Sequence, residues 1–426
     1  MQIITVKIEK LVFGGQAMAF YEDKPVFVWN ALPGEEVEVV ITKKKKDYLE
    51  GIAINILKAS PDRLEPKEDH FLSCSPWQIL DWKAENEWKK KVVLETYKRI
   101  GKFGEDLEFD IFTDSIEYGY RNKMEYSLWE EEGKVKLAFH KRAARHVYQI
   151  DGCELAEPVI NKVAGYLVNW INENHLPGIS LKTLVLRSNK KGDVIAGIFI
   201  KDHLEFENFP ELTKNLKGIQ IYYSNPKSPA SVPTDLVYSD GQDFLEEELG
   251  GVKYKSGLLS FFQVNVSVFE EALKDIKKNI EKDASVVDFY SGVGAIGLAL
   301  AQSCKKVELV ESNEEAVKFA KENIKLSGFK NVKASLKPSE EMVELIKSDK
   351  IVIFDPPRAG LHQKIIDKVL EVKPKKIIYM SCNISTQARD VGKLLGEYEI
   401  TFLRLYNFFP RTPHVEGILV LERVKE

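Results

Sequence analysis

The sequence predicts an α/β protein of three parts: a small OB-like β-barrel, an α+β central domain and a doubly wound, Rossmann-like sheet. Three observations predict this fold. Short runs with a two-residue period fill residues 1–58, strand-like runs around helical stretches fill residues 59–257, and apolar runs alternate regularly with helical periodicity over residues 258–426. We place the domain boundaries at these changes of pattern.

The first part contains alternating apolar and polar residues that predict four strands. They lie at 2–8, 25–29, 35–42 and 49–56, with turn residues such as Gly14-Gly15 between them. Short strands at this spacing indicate a closed or nearly closed barrel, and small barrels of this type often bind oligonucleotides. A basic run at 43–46 lies close to Tyr48, which suits such a role. A solvated hairpin tip would carry the same lysines, so both interpretations stand.

The second part is dominated by strand-like runs, which predict a large antiparallel sheet. The predicted strands are 123–129, 134–140, 146–150, 183–187, 193–199 and 219–223, interrupted by a helix at 158–174. Before them, helical spacing covers 84–101, and we expect this helix to pack on the third part. Basic and aromatic residues also mix here: Arg121, Lys123, Lys141, Arg142 and Arg145 with Tyr120, Tyr126 and Tyr148. Such a mixture suits RNA contacts, although half-exposed strands carry the same residues for solubility.

The third part alternates strands with helices, which predicts a seven-stranded doubly wound sheet. The strands are predicted at 285–289, 306–310, 332–336, 350–354, 375–380, 398–405 and 415–421. In such sheets ligands bind beyond the carboxyl ends of the strands. Cys382 directly follows the fifth strand, although a single cysteine at such a place is more often a small buried hydrophobe than a nucleophile.

Composition places limits on partners and compartment. With 44% hydrophobic and 30% charged residues and no apolar run long enough to span a bilayer, no membrane association is expected. The chain starts with a strand pattern instead of a signal peptide, so we expect a cytoplasmic protein. The formal net charge of −4 means that a nucleic-acid site would have to be a local patch. The four cysteines, at 74, 153, 304 and 382, are too widely spaced for a zinc knuckle and are expected to be reduced.

A glycine-rich turn follows the first strand of the third part. Its glycines Gly292, Gly294 and Gly297 have the GxGxxG spacing, which lets the backbone approach a ligand closely. Glu311 ends the next strand, where it could accept hydrogen bonds from both ribose hydroxyls of an adenosine. Together these residues predict a cofactor that contains adenosine, and they leave NAD and S-adenosylmethionine open.

The fourth strand ends in Asp355-Pro356-Pro357-Arg358, and this turn favours S-adenosylmethionine over NAD as the cofactor. Two prolines form a stiff turn without backbone donors, so its carbonyls and Asp355 can face a planar substrate group. Methyltransferases that act on nucleobases often carry such a turn at this place, whereas a dehydrogenase has no evident use for it. A purely structural turn remains the alternative.

Methylation of a pyrimidine at C5 requires a nucleophile and a base. A thiolate that adds to C6 makes C5 nucleophilic, and a base must later remove the C5 proton so that the thiol can leave. Cys382 could supply the thiol. His414 and Glu416 are the candidate bases, and Glu416 lies in an apolar setting at the start of the last strand.

At this point the sequence resembles the 5-methyluridine RNA methyltransferases. The motifs of that family occur here in order as Phe261-Phe262-Gln263-Val264-Asn265, the turn at 288–294, the Asp-Pro-Pro-Arg turn, Ser381-Cys382-Asn383 and the run 412–416. The first part resembles the family's TRAM-like RNA-binding domain, and residues 119–123 resemble its central domain. The resemblance implies an S-adenosylmethionine-dependent RNA (uracil-C5) methyltransferase that makes 5-methyluridine in tRNA or rRNA.

The resemblance also implies a role for each matching residue. Cys382 would be the nucleophile and Glu416 the proton acceptor, and Asp355 would join them in catalysis. Cofactor or target uracil would be bound by Gln263, Tyr290, Gly292, Gly294, Glu311 and Asp355. Ala295 and Pro338 stand where the family often has asparagine and aspartate, so two cofactor contacts would be lost or replaced.

Many members of this family hold a [4Fe-4S] cluster on four cysteines. Cys74 and Cys153 match two of these positions, whereas Glu68 and Trp77 occupy the others and His70 lies nearby. Two thiolates do not replace four, so we expect no iron-sulfur cluster and no metal. We also expect a monomer.

The sequence leaves three alternative functions open. An RNA (cytosine-C5) methyltransferase would usually carry a Pro-Cys nucleophile after the fourth strand, where this chain has the Asp-Pro-Pro turn. A non-catalytic RNA-binding protein with a decayed cofactor fold would have no need of Cys382 and Glu416. An NAD-linked dehydrogenase is the third.

Overall fold

The computed structural model describes residues 2–104, 106–144 and 146–424. Its strands form three large sheets and one separate hairpin. Among the helices in these ranges, none combines the length and the apolar character needed to cross a bilayer.

The first sheet is built from six strands with alternating buried and exposed residues. They are β1 (Ile3–Lys7), β2 (Lys10–Leu11), β3 (Ala17–Tyr21), β4 (Lys24–Trp29), β5 (Glu36–Lys44) and β6 (Leu49–Lys58), in the order β1-β5-β6-β4-β3-β2. The inward residues of all six strands form one apolar cluster. No ladder joins β1 to β2 within the described residues, so hydrogen bonds do not close the barrel. The prediction of four strands missed β2 and β3, because β2 has two residues and β3 is rich in alanine.

The helical segment that follows connects the first sheet to the third. After α1 (Phe71–Cys74), helix α2 (Trp82–Thr96) begins at the N-cap Asp81, whose side chain accepts hydrogen bonds from two backbone amides, and ends in a π-helical turn, Tyr97–Gly101. Strand β7 (Asp110–Phe112) comes next and pairs with the third sheet. Sequence analysis did not predict β7, since three residues are too few to show a period.

The second sheet contains seven strands, with one helix on it. The elements are β8 (Lys123–Glu131), β9 (Lys134–His140), β10 (Val147–Ile150), α3 (Pro158–Glu173), β11 (Leu181–Ser188), β12 (Val194–Ile200), β13 (Leu216–Tyr223) and β14 (Asp235–Gly241). The order is β10-β9-β8-β11-β12-β13-β14, and every pair is antiparallel except β12 with β13. The expected antiparallel sheet is therefore mixed at one ladder. The hairpin β15 (Phe244–Leu249) and β16 (Val252–Gly257) stands apart from this sheet.

The third sheet has helices on both faces, as the alternation of strands and helices predicts. Its elements are α4 (Val266–Lys278), β17 (Ser285–Phe289), α5 (Ala295–Leu300), β18 (Lys306–Glu311), α6 (Glu314–Ser327), β19 (Val332–Leu336), β20 (Ile351–Phe354), α7 (Gln363–Val372), β21 (Lys376–Ser381), α8 (Ile384–Gly392), β22 (Tyr398–Tyr406) and β23 (Glu416–Arg423). The order is β19-β18-β17-β20-β21-β23-β22-β7. All seven predicted strands are present, and β7 adds an eighth. Helices α4, α5 and α6 pack on one face, while α7, α8 and α2 pack on the other.

Candidate active site

The candidate nucleophile lies at the carboxyl edge of the third sheet. Cys382 directly follows β21, whose last residue Ser381 pairs with Gly417 of β23. Because these two strands are antiparallel, the next position in the register sets Cys382 opposite Glu416. Backbone pairing alone therefore brings the predicted thiol and the predicted proton acceptor side by side.

Asp355 lies at the same edge, on the other side of β21. Strand β20 ends at Phe354, which pairs in parallel with Tyr379 of β21, and Asp355 is the residue after it. Parallel strands end at one edge of a sheet, so Asp355 and Cys382 leave it together. The structure thus brings all three predicted catalytic residues to one place.

Side chains of α8 hold the two loops of this edge together. Asn383 caps α8 and donates a hydrogen bond of 2.7 Å from its Nδ2 to the carbonyl of Arg358 in the Asp-Pro-Pro-Arg turn. Asp390 accepts from the amide of Leu361 at 2.8 Å and from the Tyr379 hydroxyl at 2.9 Å. These bonds fix the turn after β20 against the turn after β21, which limits the movement of Cys382 relative to Asp355.

Glu416 is buried in this site, and Asp355 and Cys382 are half-buried. Glu416 is 3% exposed, and its Oε2 has no hydrogen-bond partner in the described part of the chain. Burial, and then the charge of Asp355, raise the pKa of Glu416 well above its usual range. Burial also raises the pKa of Asp355 to about 7. Burial and the charges of Glu416 and Asp355 raise the pKa of Cys382 to about 11, against the opposing effect of Arg358.

This electrostatic arrangement suits proton transfer. Two buried carboxyl groups that interact titrate as a pair, so near neutral pH one of them can hold a proton while the other is charged. With its pKa raised to about 11, the Cys382 thiol is mostly protonated near neutral pH, and it lies close enough to both carboxyl groups for their charges to act on it. The site can therefore take up a proton from the thiol and later from a substrate carbon.

A cavity of about 160 Å³ opens beside Cys382, and the first sheet forms one of its walls. Phe13 and Gly14, from the loop between β2 and β3, line it together with Arg358, Pro413 and the exposed His414. The loop is tightly seated, because a Cβ atom on Gly15 would lie 2.5 Å from Pro413. Sequence analysis did not connect these loops, since no local pattern links them.

The predicted cofactor residues surround a second pocket at the neighbouring strand ends. Gln263, Tyr290, Gly292 and Asp355 line it together with the side chains of Phe261 and Asp288. Gln263 is held by the central domain, because Asn122 donates from Nδ2 to its carbonyl at 3.1 Å. Four of the six predicted cofactor residues thus meet in one place.

Glu311 and Gly294 shape the rim of this pocket. Glu311 accepts hydrogen bonds from the amides of Gly292, at 2.9 Å, and Asn313, at 2.8 Å, which fixes its carboxylate between the turn and the next helix. Gly294 has a φ of +87° at the start of α5, a conformation that favours glycine. Ala295 begins α5, and Pro338 precedes a short 3₁₀ turn.

Two orphan polar atoms show that the pocket suits a polar ligand. Asp288 Oδ1 and Ser291 Oγ are buried and lack a hydrogen-bond partner among the described residues. Burial raises the pKa of Asp288 to about 8, although its Oδ2 accepts from the amide of Gly297 at 2.9 Å. A cationic cofactor would stabilise the charged form of Asp288, so the residues present fit S-adenosylmethionine, which carries an ammonium and a sulfonium group.

A buried polar network, which sequence analysis missed, supports the segment before Glu416. Lys89 of α2 is 1% exposed and donates to Glu85 and Asn407 at 2.7 Å each. Both oxygens of Glu85 accept from the amide of Arg411 at 3.1 Å, and Arg411 has a φ of +63°. The only local signal is the i, i+4 spacing of Glu85 and Lys89, which usually marks an exposed helix pair.

The predicted basic and aromatic cluster of the central domain is only partly available to a ligand. Tyr120 and Tyr126 are buried, and their hydroxyls donate to Pro410 and Asn161, so these two rings are not available to contact RNA. The remaining members, Arg121, Lys123, Lys141, Arg142 and Tyr148, are half-buried. Arg145 lies outside the described residues. The lysines at 43–46 are exposed at the tip of the β5–β6 hairpin.

Comparison with known families gives two matches. The model of the tRNA (uracil-5-)-methyltransferase family matches residues 86–424, and the model of the TRAM domain matches residues 1–54. Among curated relatives, a protein of Caldanaerobacter subterraneus described as an uncharacterized RNA methyltransferase is 33% identical, with 99% of each chain covered. One of Fusobacterium nucleatum with the same description is 31% identical, with 99% of this chain and 96% of the relative covered.

A solved structure matches over the full length. The Pyrococcus abyssi tRNA (uracil-54, C5)-methyltransferase, in complex with S-adenosyl-L-homocysteine, superposes with a TM-score of 0.79 at 26% identity. The match covers 98% of this chain and 100% of that one. The likeness therefore extends over all three sheets.

Proposed function

The chain belongs to the tRNA (uracil-5-)-methyltransferase family, and from this premise we propose that it methylates C5 of a uridine in RNA through a covalent adduct on Cys382. One observation carries the proposal. The register of β21 and β23 sets a thiol directly opposite a buried carboxylate, with a second carboxylate on the other side. Such a group of three supplies the nucleophile and the base that the C5 reaction requires.

The first step would be the attack of sulfur on the base. The Cys382 thiol gives its proton to the carboxylate pair of Asp355 and Glu416, and the sulfur bonds to C6 of the uracil. The pair must release this proton to solvent before the second half of the reaction, so that Glu416 is charged when the C5 proton is removed. The electrons of the C5–C6 double bond move to the O4 carbonyl, which makes an enolate. The O4 oxygen of the uracil would need a hydrogen bond, and Asp355, which lines the neighbouring pocket, is our candidate for it.

The second half of the reaction would restore the aromatic ring of the uracil. S-adenosylmethionine, held by the residues of the pocket at 288–294, would supply the methyl group for C5 and would be released as S-adenosylhomocysteine. Glu416 then takes the C5 proton, the C5–C6 double bond forms again, and the bond between C6 and Cys382 breaks. Poor solvation makes Glu416 more basic, which favours this proton removal.

We assign cofactor binding to the pocket at 288–294. Gly292 and Gly294 let the backbone approach the cofactor, Glu311 would accept the ribose hydroxyls, and Gln263 and Tyr290 would pack beside it. The complex of the Pyrococcus relative with S-adenosyl-L-homocysteine supports this assignment.

We propose RNA as the substrate and divide the chain for this purpose at 1–58, 59–257 and 258–426. The TRAM match and the wall that Phe13 contributes to the Cys382 cavity support RNA contacts by the first domain. The substrate would be tRNA or rRNA, and the tRNA named for the Pyrococcus relative makes tRNA the first to test. We further propose a monomer that acts in the cytoplasm, where its four free cysteines stay reduced.

The test uses transfer of labelled methyl groups into RNA. Cys382→Ala should abolish transfer into tRNA and rRNA while cofactor binding by calorimetry stays within about twofold, since the nucleophile lies outside the cofactor pocket. Cys304→Ala, at a buried cysteine away from the site, is the matched control and should retain activity. Mass-spectrometric mapping would then show 5-methyluridine in the product. Transfer by Cys382→Ala, or a methyl group on cytosine, would contradict the proposal.

A further inference from the structure

Four metal-binding side chains from distant parts of the chain converge outside the Cys382 cavity. They are Glu68, His70, Cys74 and Cys153, and one donor atom of each lies within 4.8 Å of every other. His70 and Cys153 are buried, and Glu68 and Cys74 are half-buried. Three of them come from the segment around α1, and Cys153 comes from the loop between β10 and α3.

The imidazole of His70 lies among the other three donors. The residue is 8% exposed, and its Nε2 lies 3.1 Å from Glu68 Oε1, although the two groups are not aligned for a hydrogen bond. Without a metal, a protonated ring would pair with the Glu68 carboxylate by charge. With a cation among the four donors, the neutral ring would supply the lone pair of Nε2 instead.

Contacts around the cluster hold the donors in place. Glu68 accepts hydrogen bonds from Gln78 Nε2 at 2.8 Å and from the amide of Glu154 at 2.6 Å. The side chain of Asn161 accepts from the amide of Cys153 at 3.1 Å and donates to its carbonyl at 3.0 Å. Outer partners of this kind orient the ligands of metal sites.

The four-iron cluster held by many relatives does not fit these residues. Only two of the four donors are sulfur, whereas such a cluster takes four thiolates. Trp77, which aligns with one of the usual cysteines, is buried and donates from its indole nitrogen to the carbonyl of Gly15. A disulfide between Cys74 and Cys153 would use the two sulfurs and remove both thiolate donors from the cluster.

The donor set suits a single zinc ion. Zinc prefers four ligands chosen from thiolate, imidazole and carboxylate, with bonds of about 2.0–2.3 Å, so tetrahedral donors lie roughly 3.3–3.8 Å apart. Donor atoms within 4.8 Å of one another reach that geometry by a small inward movement. Thiolates disfavour magnesium and calcium, and four protein ligands leave no open position for catalysis.

We propose that Glu68, His70, Cys74 and Cys153 bind one structural Zn²⁺, in place of the metal-free state expected from the sequence. The ion would join the α1 segment to the loop after β10. That loop supports the active site, because the Glu154 carbonyl accepts from the amide of Gly119, and the neighbouring Tyr120 hydroxyl donates to Pro410 at 3.0 Å. The zinc would therefore stabilise the contact between the central and catalytic domains.

The test measures metal directly in the full-length protein, purified with a thiol reductant. Elemental analysis should find about one zinc per chain, and Cys153→Ser and His70→Gln should each lower zinc occupancy at least about tenfold after dialysis. Cys304→Ser, at a cysteine outside the cluster, should keep full occupancy. After chelation, Co²⁺ added to the wild-type protein should give the visible absorption bands of tetrahedral cobalt bound to thiolate.

The cobalt titration needs no variant, so it decides the question even if a substituted chain fails to fold. Fewer than about 0.1 zinc per chain together with no cobalt bands would overturn the proposal. So would iron at about four per chain with absorbance near 400 nm in anaerobic preparations. A chain that is about 2 Da lighter because Cys74 and Cys153 are joined would overturn it as well. None of these results depends on methyl transfer.

Discussion

Glu416→Gln should trap the RNA on Cys382 and at the same time make that thiol more acidic. Glutamine keeps the shape of the side chain but cannot accept the C5 proton, so the adduct with RNA should form and persist. The same change removes one of the two carboxylates whose charge raises the pKa of Cys382. A turnover defect and a more reactive thiol should therefore appear together in one variant.

The expected size of the pKa change follows from the register of β21 and β23. Residues opposite each other on paired strands place side-chain charges roughly 6 Å apart, and at an effective dielectric of about 20 two unit charges then interact by about 3 kcal/mol. If the site is as wet as bulk solvent, the interaction falls to about 0.7 kcal/mol. The pKa of Cys382 should therefore fall by between about half a unit and two units.

Alkylation kinetics measure this change, because only the thiolate reacts with iodoacetamide. With a pKa of about 11, the wild-type thiol is ionised in about one molecule per thousand at pH 8, so a fall of one unit should raise the rate about tenfold. The rate is followed at Cys382 by peptide mass spectrometry from pH 7 to 10. A denaturing gel with labelled tRNA shows the trapped adduct as a shifted band.

Glu399→Gln is the matched control, since Glu399 is exposed on β22 and lies away from the thiol. It should leave both the alkylation rate and the turnover unchanged. The reasoning fails if Glu416→Gln turns over like the wild type, or if its Cys382 has an unchanged or higher pKa. Wild-type turnover would mean that Glu416 is not the base, and an unchanged or higher pKa would mean that its charge does not act on the thiol.

Three further predictions test the surroundings of the site. Lys89→Met should lower the free energy of unfolding in urea by about 3–5 kcal/mol, because it removes the ammonium group 2.7 Å from the buried Glu85 carboxylate and leaves the Arg411 guanidinium, 3.9 Å away, to balance that charge. Lys90→Met, at a half-buried lysine of the same helix, should cost under about 1 kcal/mol. Equal losses would contradict this. Burial raises the pKa of Asp288 to about 8, so the folded state holds its proton more tightly than the unfolded state does. Without cofactor, the free energy of unfolding of the wild type should therefore fall as pH rises from about 4 to 8, by at most about 1.4 kcal/mol per pH unit. Asp288→Asn should flatten this dependence of stability on pH, and an unchanged slope would refute the prediction. Phe13→Ala should raise KM for RNA at least about threefold and leave cofactor affinity unchanged. Phe20 is about equally exposed and belongs to the same sheet but lies outside the cavity, so Phe20→Ala should leave both KM and cofactor affinity unchanged. An equal rise of KM in both variants would argue against a role of Phe13 at the cavity.

The meeting of Cys382, Asp355 and Glu416 at one edge of the third sheet could be predicted because it follows from local pattern. Cys382 and Asp355 stand where buried apolar runs stop, and Glu416 stands where one begins, so period and strand order suffice to bring them together. Their pKa values could not be predicted, since they depend on burial by segments far away in the chain.

The residues that sequence analysis missed depend on contacts between remote segments. Lys89 bonds to Asn407 across 318 positions, and nothing in either neighbourhood predicts the other. The burial of Tyr120 and Tyr126 could not be predicted for a related reason. An aromatic residue in or beside a strand has the same local pattern whether its ring packs against a remote segment or binds a ligand. Similarly, His70 and Cys153 are 83 positions apart in the printed sequence, and only the folded chain shows that they meet.

The close packing of the loop between β2 and β3 against Pro413 has consequences for sequence variation among homologues and for domain exchange. Gly15 leaves no room for a side chain there, and the indole of Trp77 holds its carbonyl at 3.0 Å. Positions 13–15 and 413–414 should therefore vary in concert among homologues, although some 400 positions separate them. Exchanging the N-terminal domain with that of a distant homologue would replace one wall of the Cys382 cavity. Such a chimera therefore needs the residues at 413–414 to be taken from the same homologue as the N-terminal domain.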